Sequence, residues 1–137
     1  MRQTIIAGNW KMYKTVAESV DFVRQLLPRL EPFSNVERVV CPTFVALAPV
    51  ADVLRGSAVK VGAQNVAFNK EGAYTSQIAP GMLQGLVAYV IIGHSEARKY
   101  LGETDEDINK KAKIALEYGL KPIIAVGESL ETYEAGQ

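Results

Sequence analysis

Five short polar clusters carry the residue types that could do chemistry in this chain: Asn9 with Lys11, Cys41-Pro42-Thr43, Gln64-Asn65, His94-Ser95-Glu96 and Gly127-Glu128. Lys11 is a fixed positive charge that can hold a phosphate or a developing oxyanion. His94 is the only histidine. It stands just before a predicted helix start, where the positive helix end disfavours imidazolium. The neutral ring favoured there donates a hydrogen bond without giving up its proton outright. Glu96 is placed to pair with Lys11 across two predicted strand ends. Each residue also has a plainer reading. A lysine after a strand is usually solvated surface, and a histidine in a Gly-His-Ser turn is more often a structural hydrogen-bonder. Glu96 and Glu128 suit helix starts as carboxylates that satisfy the dipole. A shared address, directly after five consecutive apolar runs, is what points to a site.

Those runs supply the frame. Thr4 to Ala7, Val36 to Cys41, Val59 to Ala63, Ala88 to Ile92 and Pro122 to Val126 read as strands. Val16, Val20, Val23, Leu26, Leu27 and Leu30 recur at helical spacing, which predicts an amphipathic helix ending near Pro32. Phe44 to Leu54, Gly81 to Leu86 and Ser95 to Tyr100 read as further helical pieces. Thr104 to Tyr118 reads as a longer helix, with Thr104 and Asp107 as a capping start and Gly119 as the stop. A loop rich in Asn, Gly and Thr runs from Gln64 to about Pro80, and Ser129 reads as an N-cap. Strand and helix alternating in this way predict βαβ units and an α/β fold with a parallel sheet. In such folds the carboxyl ends of the strands build the sites. No linker, repeat or low-complexity tract divides the chain, so residues 1–137 read as one domain.

The strands read as apolar on both faces and expect cover on both, while the two outer ones would present unpaired edges. About five βα units alone predict an open partial barrel, marginal in isolation, that needs a partner. The last residues fall inside a helix that has barely begun, which predicts a truncated or split chain rather than a stand-alone module.

Composition narrows the function classes. With 48% apolar residues, 137 residues can bury one sizeable core. Fifteen basic residues balance 15 acidic ones, leaving no long-range field for nucleic acid or an anionic membrane. An anionic ligand must therefore be held by a few local groups. The single cysteine, Cys41, excludes an internal disulfide and fits a reducing cytoplasm. The N-terminal residues lack the apolar core of a signal peptide, and no apolar run reaches the ~18 residues of a membrane span. The expectation is a cytoplasmic protein without nucleic-acid or membrane partners.

Whole segments resemble the triosephosphate isomerase family. Gly8-Asn9-Trp10-Lys11-Met12-Tyr13 is similar to its first-strand signature, Gly62-Ala63-Gln64-Asn65 to the end of its third strand, and Glu71-Gly72-Ala73-Tyr74-Thr75 to its protruding third loop. Tyr89 to Glu96, continuing to Gly102-Glu103-Thr104, resembles its histidine segment, and Lys121-Pro122-Ile123 with Val126-Gly127-Glu128 its fifth strand. The resemblance implies a TIM (β/α)8 barrel, here in part, that interconverts dihydroxyacetone phosphate and glyceraldehyde 3-phosphate without cofactor or metal. It implies Lys11 as electrostatic anchor with Asn9 beside it, His94 as neutral electrophile, and Glu96 as the residue orienting Lys11. It also implies Thr75 reaching into a neighbouring subunit of a homodimer.

Departures from the family matter as much. Ser76-Gln77 stands where it usually has Gly-Glu, and Ala97-Arg98 where it usually has two arginines. Gln77 and Ala97 thus replace both members of an interface charge pair, which predicts their joint loss rather than a stranded buried charge. The cysteine of the family's fifth strand is Ala125 here. The family's catalytic glutamate and phosphate-binding loops lie beyond the segments matched. The expectation is a chain that supplies lysine and histidine but not the base, which would come from a complementary chain carrying the remaining strands. The alternative is an inactive half-barrel that self-associates.

Overall fold

A computed structural model describes residues 3–136. Five strands, β1 (Ile5–Asn9), β2 (Glu37–Cys41), β3 (Lys60–Ala63), β4 (Tyr89–Ile92) and β5 (Lys121–Ile124), form one sheet in chain order. All four pairings are parallel. Each crossover carries helix: α1 (Val16–Leu30), α2 (Leu47–Leu54, entered through a 3-10 turn at Phe44–Ala46), α3 (Pro80–Leu83), and α4 (Ser95–Leu101) followed by α5 (Asp105–Glu117). A last helix, α6, covers Leu130–Glu134. The five βα units expected from the apolar pattern are present, as half of a barrel.

Local chemistry explains several helix ends. Thr15 and Glu18 form a reciprocal capping box at the start of α1, and Thr104 and Asp107 do the same for α5. Gly102 ends α4 in the left-handed region. At the end of α1 the Arg38 guanidinium donates to the Leu30 carbonyl at 2.6 Å, supplying a donor that the helix itself lacks there.

Beyond one-residue shifts at several strand starts, three elements differ from the sequence reading. β1 continues to Asn9, because register with β2 pairs Gly8 with Val40 and Asn9 with Cys41 despite their weak strand propensity. The expected helix from Gly81 to Leu86 is a single turn. β5 starts at Lys121 and ends at Ile124. Lys121 and Ala125 donate inward, to the Ala88 and Ile92 carbonyls, so the N–H that Pro122 lacks falls on the open edge.

Side chains alternate between two faces. Val40, Val61, Ala63, Val90 and Ile92 face the helices and pack with Val23, Leu47, Val50, Leu54, Ile108 and Ala115. Val39, Cys41, Tyr89 and Ile91 share the opposite face, backed by Ile123. These inward residues are buried, so the missing cover expected for all five strands is confined to the outer two. There Ile5 is 43% exposed on the inward face, and Ile6, at 62%, and Ile124, at 45%, are exposed on the helix face. Gly62 lets the inward layer close up, since a Cβ at this position would stand 2.7 Å from Cys41 Sγ. At the amino-terminal end of the strands Glu37, Tyr89 and Lys121 gather. Burial, with the Glu37 carboxylate, pushes the Tyr89 phenol up to about 12. Among the described residues no helix is long and apolar enough to cross a membrane.

Candidate active site

Beyond the carboxyl end of β1 the backbone turns sharply. Lys11 adopts φ 53°, a left-handed conformation that costs a non-glycine residue of the order of 1 kcal/mol. Two side chains hold it there. Asn9 Oδ1 accepts from the Lys11 N–H at 2.9 Å. Gln64, just past β3, donates through Nε2 to the Lys11 carbonyl and to the Cys41 carbonyl, both at 2.9 Å. Strain over-determined in this way is a common mark of a functional residue.

The Lys11 side chain crosses to α4, where its ammonium lies 2.7 Å from Glu96 Oε1. The hydrogen bond from Lys11 holds the Glu96 carboxyl below its ordinary range, and the charge of Lys11 adds to the effect against partial desolvation. Lys11 is raised in return, first by that hydrogen bond and then by the charge of Glu96. Each side chain is 47% exposed, so salt screens the pair and its importance is in placement rather than stability.

His94 is the N-cap of α4, and its Nδ1 accepts the Glu96 backbone N–H at 3.2 Å. A ring nitrogen that accepts carries no proton, so this bond selects the neutral tautomer with hydrogen on Nε2. The second Glu96 oxygen lies 3.5 Å from the same Nδ1. One glutamate therefore touches both groups: its amide sets the histidine tautomer and its carboxylate holds the lysine. Asn9, Lys11, Gln64, His94 and Glu96 line one cleft of about 350 Å³, rimmed by Met12, Ala97, Tyr100 and Leu101. A fixed cation beside a neutral donor can polarise a carbonyl and stabilise the oxyanion that forms on it.

Other expected residues lie elsewhere. Thr75 and Gln77 sit on the exposed loop between β3 and α3 and do not line this cleft. Cys41 is fully buried beneath the cleft floor, and burial pushes its thiol up to about 11. Gly127 and Glu128 line a neighbouring cleft of about 620 Å³ that His94 and Arg98 share.

Some supporting residues escaped the sequence reading. Gln64 was visible as a strand-end polar residue, but its grip on Lys11 was not. Lys111 of α5 gave no signal at all. Its ammonium donates to Asn65 Oδ1 at 3.0 Å and pairs with Glu103, while Asn65 Nδ2 donates to Glu103 at 2.9 Å. Lys111 and Glu103 are almost wholly buried, with side chains 6% and 8% exposed. The triad locks the residue next to Gln64. Among the described residues no group of three or more His, Cys, Asp or Glu side chains is placed to hold a metal ion.

The family model described as triosephosphate isomerase matches residues 4–137. The triosephosphate isomerase of Carboxydothermus hydrogenoformans is 56% identical over 137 residues, covering 99% of this chain and 55% of that protein. That of Clostridium botulinum is 56% identical over 135 residues, covering 98% of this chain and 54% of that protein. The crystal structure of triosephosphate isomerase from Bartonella henselae superposes with a TM-score of 0.92 at 34% identity, over 98% of this chain and 56% of that one. The chain spans about half the length of the curated relatives it matches.

Proposed function

The chain belongs to the triosephosphate isomerase family, and on that premise we propose that it forms the lysine–histidine half of an active site interconverting dihydroxyacetone phosphate and glyceraldehyde 3-phosphate. The observation that carries this reading is the double engagement of Glu96, whose amide donates to His94 Nδ1 while its carboxylate holds Lys11.

Removing a proton next to the substrate carbonyl leaves an enediolate, whose charge falls on two neighbouring oxygens. His94 Nε2–H donates to those oxygens and, being neutral, can pass its proton between them. Lys11 supplies the fixed positive charge that favours the anionic state over the ground-state carbonyl and anchors the substrate. Asn9 and Gln64 hold the Lys11 backbone so that its ammonium needs no rearrangement at the moment of reaction. Glu96 orients that ammonium and stays ionised because Lys11 keeps its carboxyl low. The general base, worth about 10² to 10⁴-fold, comes from the remaining strands of a complete barrel, in the same polypeptide or in a complementary chain. No cofactor or metal takes part.

The reading extends to assembly and location. The cleft rim is apolar and open, with Met12 92%, Tyr100 71% and Leu101 70% exposed. A homodimer covers this rim, with Thr75 of one subunit reaching the other's cleft and Gln77 facing Ala97 without a charge pair. The protein works in the cytoplasm.

The test is isomerase activity of the purified chain, alone and mixed with a chain carrying the remaining strands. Activity in the mixture that Lys11→Ala or His94→Ala abolishes is the expected result. Activity of the chain alone overturns the assignment of the base to the missing strands. Inactivity in both settings favours an inactive half-barrel.

A further inference from the structure

One charged side chain beside the cleft has no part in the proposed reaction. Arg98 lies on α4 one turn after His94, and its backbone N–H donates to the His94 carbonyl at 3.0 Å. Its guanidinium then spreads in three directions. Nε donates to the Gly93 carbonyl at 2.8 Å, Nη2 to the Ala125 carbonyl at 3.4 Å, and Nη1 to Asp105 Oδ1 at 2.6 Å. The end of β4, the residue after β5 and the start of α5 are thereby tied to one planar group.

The Gly93 contact bears on the histidine directly. The Gly93 carbonyl and the His94 N–H belong to one rigid peptide plane. Fixing the carbonyl fixes one of the two peptide planes that meet at the His94 Cα, and the Arg98 N–H on the His94 carbonyl holds the other, so together they set the direction in which the His94 side chain leaves the backbone. Gly93 has φ +69°, and a Cβ there would stand 2.9 Å from Ile108 and 3.2 Å from Arg98 Nη2, so only glycine lets Ile108 and the guanidinium close on this turn. The ion pair with Asp105 is the lesser arm, because Asp105 is 92% exposed.

We propose that Arg98 is the positioning residue of His94: by bridging the Gly93 and Ala125 carbonyls it keeps Nδ1 on the Glu96 amide and the proton on Nε2. The assignment rests on the reading of His94 as the electrophile. A lysine at this position could neutralise Asp105, but its point charge cannot span carbonyls on two strand ends.

His94 is the only histidine, so its ring gives the sole imidazole signals in long-range proton–nitrogen spectra of the 15N-labelled 137-residue chain. The wild type should show a single tautomer, protonated on Nε2, and an Arg98 Nε–H protected from exchange. Arg98→Lys and Arg98→Gln should lose that single tautomer to the averaged signals of a freely exchanging ring, while Asp105→Asn retains it. The proposal is overturned if both Arg98 variants keep the wild-type ring signals, or if Asp105→Asn loses them as well. Unfolding of both Arg98 variants overturns it too, by making Arg98 a residue of the fold and not of the histidine, and so does rapid exchange at the wild-type Nε–H. None of these readouts needs turnover. Inactivity of the chain mixed with the remaining strands counts against the proposed reaction alone, and an unmoved tautomer in an active assembly counts against Arg98 alone.

Discussion

The Lys11 ammonium lies 2.7 Å from the Glu96 carboxylate, joining the turn after β1 to the first turn of α4 across 85 positions of sequence. The two partners shift in opposite directions, Glu96 down and Lys11 up. A lowered carboxyl contributes above its ordinary range, and the contribution is lost as pH falls through the lowered value. A raised ammonium contributes below its ordinary range, and the contribution is lost as pH rises through the raised value. The pair is therefore intact throughout the neutral range.

The first prediction follows from that pairing. Carbon-13 NMR of the Glu96 carboxyl should show a midpoint below the ordinary range, and Lys11→Met should move it up. Because both groups are half-exposed, Glu96→Gln should leave the urea midpoint close to wild type while lowering isomerase activity in the assembled barrel. A large drop in stability with unchanged activity would show a structural pair and not a catalytic one.

Cys41 carries the second prediction. Its thiol is fully buried, and burial raises it from about 9 to about 11. The folded chain holds the proton more tightly than the unfolded chain, so stability is complete below about pH 9 and falls as pH rises toward about 11. The loss is of the order of 2–3 kcal/mol. Urea melts of wild type and Cys41→Ala across this range should converge as pH rises. In native buffer near pH 8 the thiol should react with disulfide reagents no faster than the chain opens. Fast labelling of the folded protein would contradict the burial.

How far the sequence could be read depended on how local each signal was. The clusters after each strand were legible because apolar runs end abruptly in Asn9, Gln64 or His94, and a parallel sheet gathers such ends on one side. The capping box at Thr104 needs only four consecutive residues. Lys111 was illegible for the opposite reason. It sits in Asn109-Lys110-Lys111-Ala112-Lys113, where any lysine reads as solvated surface, and only packing of α5 against the loop after β3 buries it. Arg98 reads as a helix-surface charge until β5 brings the Ala125 carbonyl beside it.

The third prediction concerns Ser76, held at φ +77° on the exposed loop before α3. Left-handed geometry costs a residue with a Cβ roughly 1–2 kcal/mol, while glycine loses about 0.4–1 kcal/mol through the freedom it adds to the unfolded chain. Ser76→Gly should therefore be stabilising by up to about 1 kcal/mol net. Ser76→Val should destabilise, because a β-branched residue fits this region worse. Thermal melts giving the order Gly, Ser, Val would establish the strain. A more stable valine variant would place the backbone elsewhere.

The last prediction rests on Glu103 and Lys111, which form the most deeply buried ion pair beside the cleft. Removing one partner strands a charge in a site with little access to water, a loss of about 3–5 kcal/mol. Lys111→Met and Glu103→Gln should each lower stability by an amount in that range. Lys111→Met with Glu103→Leu should recover much of it, since neither charge is then left unpaired. The double variant still lacks the partners that fix Asn65, the neighbour of Gln64. If the triad serves only stability, the recovered variant should match wild type in activity once the barrel is complete. If it also holds Gln64 in place, activity should stay low while the melt recovers, because Gln64 would no longer hold the strained Lys11 carbonyl. The contact chain from Lys111 through Asn65 and Gln64 to Lys11 favours the second outcome.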